Sequence, residues 1–239
     1  MRRLIWGVAI VGLVGCAPTM GEPRPTNLPT VVLRATAETP ASAAADALAE
    51  VNPRVALVLG PAEPDWFDSV AAAAGLRPTT EPGIIDSGLG VAFLGLEAVG
   101  DTTIQLEYDG GSFTLHDALY DLGRRRLLDL LAFRVETPAQ ARPLLTALAE
   151  YVATDVPPGA ALVMAVAVPS PAVGDSVARL LAPMYDGAGR CGATQDAVAA
   201  SEVLLFFGPG ARIYCRSASA RPTPGGDRIA AELVVGRRP

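Results

Sequence analysis

The chain has 239 residues, 50% of them hydrophobic and 18% charged, a balance that belongs to globular proteins and excludes an unstructured chain. Its 25 acidic residues outnumber 19 basic ones for a net charge of -6, which argues against a nucleic-acid partner and against a polybasic membrane-binding patch. All 19 basic residues are arginine, so a Schiff-base lysine, a lysine general base and a P-loop lysine are excluded.

The amino terminus reads as a leader. Met1-Arg2-Arg3 is a short positive segment and Leu4–Leu13 an apolar stretch of ten residues, too short for a transmembrane helix of about 20. Leu13-Val14-Gly15-Cys16 follows. These residues resemble the lipobox of bacterial prolipoproteins; an ordinary secretory signal with a chance cysteine is the alternative. The resemblance implies that residues 1–15 are a cleaved signal peptide and that Cys16 is lipidated, anchoring the protein to a membrane through two or more acyl chains. Loss of Arg2 and Arg3 leaves 17 basic against 25 acidic residues, a charge of -8. Ala17, by analogy with enterobacterial lipoproteins, implies the outer membrane, facing the periplasm. Residues 16–29 hold Pro18, Pro23, Pro25 and Pro29 and read as an extended tether. At about 3.1 Å per residue it reaches roughly 40 Å.

The rest alternates helix and strand patterns. Apolar residues recur at helical spacing from Ala41 to Val51, Trp66 to Ala74, Ala141 to Val152 and Val173 to Met184. Pro64 and Gly75 punctuate the second helix. Strands are expected at 31–35, 54–60, 89–98, 102–108, 127–135, 160–168, 203–207, 211–216 and 229–235. Val55–Leu59 and Ala160–Val168 are apolar throughout, as in strands covered on both faces, and Gly208-Pro209-Gly210 reads as a hairpin turn. The fold class is α/β, a mixed sheet with helices packed on it, in two halves, 30–136 and 137–239.

The halves repeat. Residues 40–136 read helix, strand, helix, strand, strand, strand, and residues 138–235 read the same. Glu50–Leu59 aligns with Asp155–Met164 at five identical positions in ten. Tandem duplication explains the match; shared helix–proline–strand junction chemistry is the alternative. Under duplication, strands 54–60 and 160–168 occupy equivalent places, and the loops Leu76–Gly88 and Asp186–Asp196 share one edge where a binding site is expected. The helix, proline junction, buried strand and second helix resemble small α/β domains of envelope lipoproteins: the curli-secretion, flagellar-associated and conjugal-transfer families.

Few residues suggest chemistry. Cys191 and Cys215 are expected to pair, since exported compartments are oxidising; a metal or catalytic thiol is the alternative. His116, the only histidine, lies beside Asp117 and near Ser112. Adjacent strand residues point to opposite faces, so His116 reads as structural. Gly174-Asp175-Ser176-Val177 resembles the opening motif of GDSL esterases, but no later histidine completes it. Gly88–Gly95 has the wrong spacing for a dinucleotide loop and enters a strand. Arg124-Arg125-Arg126 reads as a solvated strand start. Glu107 and Asp109 read as exposed carboxylates. No catalytic residue, cofactor site or metal site is therefore assigned. The expected function is an envelope binding or assembly module, not an enzyme, with other envelope proteins as partners. The alternative is a periplasmic enzyme or small-ligand-binding protein with an unfamiliar site.

Overall fold

The computed structural model describes residues 25–79, 81–86, 88–124, 126–191 and 202–236. The apolar stretch, Cys16 and residues 17–24 lie outside the described residues. In chain order the described elements are β1 (Thr26–Arg34), α1 (Ala41–Ala49), β2 (Val55–Gly60), α2 (Pro64–Ala74), β3 (Gly83–Asp86) and β4 (Leu89–Leu94). Then follow β5 (Gly100–Tyr108), β6 (Gly111–Asp121), β7 (Leu127–Arg134), α3 (Pro138–Thr154), β8 (Ala161–Ala167) and α4 (Pro171–Leu181). A short β9 (Asp186–Gly187) and one turn of 3-10 helix precede β10 (Val203–Gly208), β11 (Ile213–Thr223) and β12 (Gly226–Val235).

The strands form two six-stranded mixed sheets, ordered β11-β12-β1-β2-β4-β3 and β5-β6-β7-β8-β10-β9. Leu57, Leu59, Val91 and Phe93 of the first sheet and Leu130, Val163 and Leu205 of the second share one core between the sheets. The outer face of the first sheet packs on α1 and α2 through Val58, Leu48 and Phe67. That of the second packs on α3 and α4 through Met164, Leu144 and Val177. The molecule is thus an α/β sandwich of four layers. Strands with two covered faces must be apolar on both, and β2, β4, β8 and β10 are buried along their whole length.

Local chemistry sets the helix ends. Pro64 opens α2, and Gly75 closes it in the left-handed region at φ 66°. Thr137 and Gln140 form a reciprocal capping box at the start of α3. At the C-terminus of α1, the buried Arg228 guanidinium donates to the Ala47 carbonyl at 2.5 Å and to Glu50 at 2.7 Å, meeting an orphan carbonyl with a cation.

The two sheets repeat one topology. β1-α1-β2-α2-β3-β4-β5-β6 and β7-α3-β8-α4-β9-β10-β11-β12 run in the same order, and each strand holds the equivalent place in its sheet. β2 is parallel to β1 and antiparallel to β4; β8 is parallel to β7 and antiparallel to β10. The repeat begins one strand earlier than the sequence periodicity suggests, because Leu127–Arg134 opens the second unit. Each unit also gives its last hairpin to the other sheet: β11–β12 joins β1, and β5–β6 joins β7. Gly208-Pro209-Gly210 is therefore no hairpin turn, since β10 and β11 lie in different sheets. β1 begins at Thr26, inside the expected tether. Pro29 is tolerated there because its carbonyl accepts from the Arg54 N–H at 2.8 Å while the ring needs no donor.

Candidate functional site

Parallel strands bring their C-terminal ends to one rim of the sandwich, where open α/β architectures collect ligand-binding groups. β1 ends there in Arg34 and β7 in Arg134, equivalent positions of the repeat. β3 contributes Asp86, β12 contributes Asp227 opposite Arg34, and Glu202 precedes β10. The Glu202 N–H donates to Asp227 Oδ2 at 2.9 Å, and the Val168 N–H to the Glu202 carbonyl at 2.9 Å, which joins the two sheets at this rim.

The two arginines differ. Arg134 is fixed: it donates to Asp86 at 2.7 Å and approaches Glu136 at 2.7 Å. Among the described residues, the one side-chain hydrogen bond of Arg34 goes to the carbonyl of Ala35. A guanidinium has five N–H donors, so most of those on Arg34 are unengaged. Burial pushes its pKa down and the Arg134 charge adds to that, while the carboxylates of Glu202, Asp86 and Asp227 work against it. Such a half-buried cation gains most from an anion that brings several acceptor oxygens. At the end of β2, Gly60 pairs with Gly90, and neither has room for a Cβ because the Trp66 and Phe67 rings of α2 close over them at 2.5 and 2.8 Å. That column of the rim carries ring surface rather than polar groups.

The residues singled out in sequence lie elsewhere. Cys191 and Cys215 come together with their Cα atoms 5.7 Å apart, a span a disulfide bridges. Cys16 lies outside the described residues. His116 is buried between the sheets, stacked on Phe93, its Nδ1 sharing a hydrogen bond of 2.7 Å with the Thr103 hydroxyl. Burial pushes its pKa down, opposed by Asp101 and Asp117. Asp117 points to the opposite face and accepts from the Tyr151 hydroxyl on α3, next to buried Asp129. Ser112 accepts from Gln105 at 2.8 Å on the exposed β5–β6 hairpin. Ser176 bonds the Ala172 carbonyl within α4 at 3.0 Å. Gly90–Leu94 of the glycine stretch lies in β4. Arg126 reaches the Val235 carbonyl at 3.3 Å, Arg124 adopts a positive φ of 56°, and Arg125 lies outside the described residues. Glu107 and Asp109 are exposed.

Of the sequence candidates, the Leu76–Gly88 loop alone reaches the rim, through Asp86, while Asp186–Asp196 runs partly outside the described residues; Arg34, Arg134, Glu202 and Asp227 were not foreseen. One signal could have found the arginines. Arg34 is followed by Glu38-Thr39-Pro40-Ala41 and Arg134 by Glu136-Thr137-Pro138-Ala139, a second internal match marking equivalent strand ends.

No family model and no curated protein matches the sequence. Solved structures match the fold. An endonuclease/exonuclease/phosphatase family protein from Bacteroides thetaiotaomicron superposes with TM-score 0.64 at 8% identity, over 89% of this chain and 99% of that one. A functionally unknown conserved protein from Enterococcus faecalis V583 gives 0.62 at 11%, over 89% and 100%. TDP2 from D. rerio, complexed with single-strand DNA product, gives 0.59 at 12%, over 87% and 99%. The architecture is that of endonuclease/exonuclease/phosphatase proteins.

These neighbours correct three expectations. The folded part is not akin to the curli-secretion, flagellar or conjugal-transfer lipoproteins, and the fold gives no support to an outer-membrane lipoprotein. That resemblance rested on a helix–proline–strand junction, a local feature that does not identify a fold. The envelope assembly module loses its support, because the matching structures are nuclease and phosphatase proteins by name and none is an envelope assembly protein. The exclusion of nucleic acid also falls, because a protein of this fold holds DNA. Net charge averages over the whole surface, whereas phosphate recognition is local.

Proposed function

We propose that the protein binds a phosphate ester or phosphodiester at the Arg34–Arg134 rim and acts on it there. The single observation that carries this is Arg34, half-buried with unengaged donors beside a second, fixed guanidinium, at the strand-end rim of an endonuclease/exonuclease/phosphatase fold. Arg134, oriented by Asp86 and Glu136, would present its charge to the same phosphoryl group, and charge placed in advance around a phosphoryl centre lowers the cost of its rearrangement. Phosphoester hydrolysis commonly employs metal ions. Among the described residues, no group of three or more His, Cys, Asp or Glu could hold one, and Asp86 and Glu136 are engaged by Arg134. The residues present do not fit that group, and no step is assigned to it.

The test is titration with a 5′-phosphorylated single-stranded oligonucleotide and with phenyl phosphate, alongside turnover of a chromogenic phosphodiester. Binding is expected for the intact protein, and Arg34→Met is expected to weaken it by ten-fold or more, the worth of a charge-assisted pair of about 1.5–3 kcal/mol. Unchanged binding in Arg34→Met overturns the reading.

The Cys191–Cys215 pair is proposed to be oxidised in the native protein, in a compartment outside the cytoplasm. Intact mass after alkylation without reduction should show no labelled thiol at either position; two labels refute it. The same spectrum reads any modification of Cys16. With a sequence separation of 24 residues, reduction should cost about 3 kcal/mol.

A further inference from the structure

β3 is a four-residue edge strand, paired on one side to β4, with its register broken between Ile84 and Asp86. It nevertheless carries Asp86, the carboxylate that fixes Arg134 at 2.7 Å. Short edge segments with few contacts open at the lowest cost in a fold, so whatever seats β3 decides how firmly Arg134 is held. Its inner face rests on His116. A Cβ on Gly83 would meet His116 Nδ1 at 2.5 Å and Cγ at 2.8 Å, so the β3 backbone lies directly on the ring.

Three further strands enclose that ring. Phe93 of β4 stacks on it with centroids 5.1 Å apart, Thr103 of β5 shares the hydrogen bond at Nδ1, and Ala132 of β7 is its cross-strand partner. His116 is 2% exposed, and its Nε2 is buried without a hydrogen-bond partner. In the neutral ring that orphan is one unmade hydrogen bond. In the imidazolium both nitrogens carry a proton, so Nε2–H becomes a buried charged donor with no acceptor. The neighbouring carboxylates supply none. Asp101 on β5 and Asp117 on β6 act on the ring through space, and Asp117 is turned to the opposite face, engaged by Tyr151. Tyr120, four residues along β6 on the same face, is kept protonated by burial. Arg134, two residues beyond Ala132 on β7, is taken up by Asp86 and Glu136. Phe93 and Gly83 bring no charge.

We infer that His116 is an acid-released latch on the rim: the neutral ring seats β3 and keeps Asp86 on Arg134, and protonation lifts β3, admits water to Nε2 and takes Asp86 away. β3 is the cover that gives way, because three residue pairs hold it to β4 whereas nine hold β5 to β6. The latch stands whether or not the rim binds a phosphoester. Its sign follows from the ring's burial, which pushes the His116 pKa down. The open state takes up the proton more readily, so β3 is fully seated above the ordinary imidazole value of about 6.5 and loses its seat as pH falls below it. Buried Asp129 works in the opposite direction. Its pKa is pushed up to about 9, so its contribution to global stability grows on acidification. A loss of β3 protection in acid is therefore local opening and not the start of global unfolding.

His116 is the only histidine, so its imidazole resonance is unambiguous in the NMR spectrum of the full chain. The experiment follows that resonance through a pH titration together with hydrogen exchange of the β3 amides, each rate divided by its intrinsic value at the same pH. Between about pH 7.5 and about pH 5, protection of the β3 amides should fall ten-fold or more, with its midpoint at the titration of His116, while β2 and β8 keep theirs. His116→Gln should remove the pH dependence, and His116→Phe, which fills the same space without a titrating group, should do the same. Asp86→Asn should lower β3 protection throughout and leave its pH dependence in place. Titration of His116 at about 6.5, as for an exposed imidazole, would overturn the latch. So would β3 protection unchanged through the titration, the same pH dependence in both His116 variants, or its disappearance in Asp86→Asn.

Discussion

Asp129 shows how one buried side chain couples this fold to pH. It sits in β7 at 1% exposure beneath α3, facing Asp117, with Oδ1 unpartnered. Burial first, then the neighbouring Asp117 carboxylate, pushes its pKa up to about 9. The folded state thus holds a proton that the unfolded chain releases near pH 4. A raised folded pKa contributes stability present below the unfolded pKa and lost as pH rises through the folded one. Tm should therefore fall progressively between about pH 4 and pH 9, as Asp129 is forced to charge. Asp129→Asn, which keeps the shape without the titration, should flatten that decline and raise Tm at pH 8 by several degrees, roughly a 1–2 kcal/mol gain. Thermal melts across the pH range check this; a decline unchanged in Asp129→Asn would assign the effect to other groups.

At the scale of the element, the rim depends on how closely β12 passes β1. Gly226 opens β12 with φ 120°, a conformation that L side chains rarely adopt. A Cβ there would lie 2.1 Å from the Arg34 carbonyl oxygen, and the neighbouring Gly225 would collide with the Ala43 carbonyl of α1 at 2.4 Å. The Gly225-Gly226 turn therefore seats the hairpin on both β1 and α1. Gly226→Ala should cost about 2–4 kcal/mol through backbone strain and the shift of β1. It should also weaken phosphoester binding, because the Arg34 backbone must move. Chemical denaturation with a parallel ligand titration tests both effects; a stable variant with full affinity would show that the close approach is not required.

For the whole molecule, the exchange of hairpins decides cooperativity. Each repeat unit completes its sheet with the other's last two strands, so neither closes a core alone. Leu57→Asp or Leu162→Asp puts a charge into a fully covered strand. Either should unfold the entire protein in one transition rather than its own half, at a cost above about 4 kcal/mol. A fragment of residues 25–124, which lacks β12 beside β1 and β7 beside β6, should show no cooperative melt by circular dichroism. Cooperative unfolding of that fragment, or two separate transitions in Leu57→Asp, would show that the units are independent.

The sequence by itself determined the helices and the buried strands. Apolar spacing located the stripes of all four helices, and unbroken apolar runs marked β2 and β8, because two-sided burial leaves no choice of residue. The repeat was legible from Glu50–Leu59 and Asp155–Met164, identical at five positions in ten, and the two strands they enter hold equivalent places in their sheets. β6 was not legible: Ser112, Thr114, His116 and Asp117 obscure its strand pattern, and only Thr103, Tyr151 and the two sheets around it make those polar groups tolerable there. Strand pairing between distant segments decided the rest. It placed Arg34 and Arg134, 100 positions apart in sequence, at one rim. Local pattern carries the propensity of a segment, but which segments meet depends on how two sheets close over a common core, and that is where the sites of this protein arise.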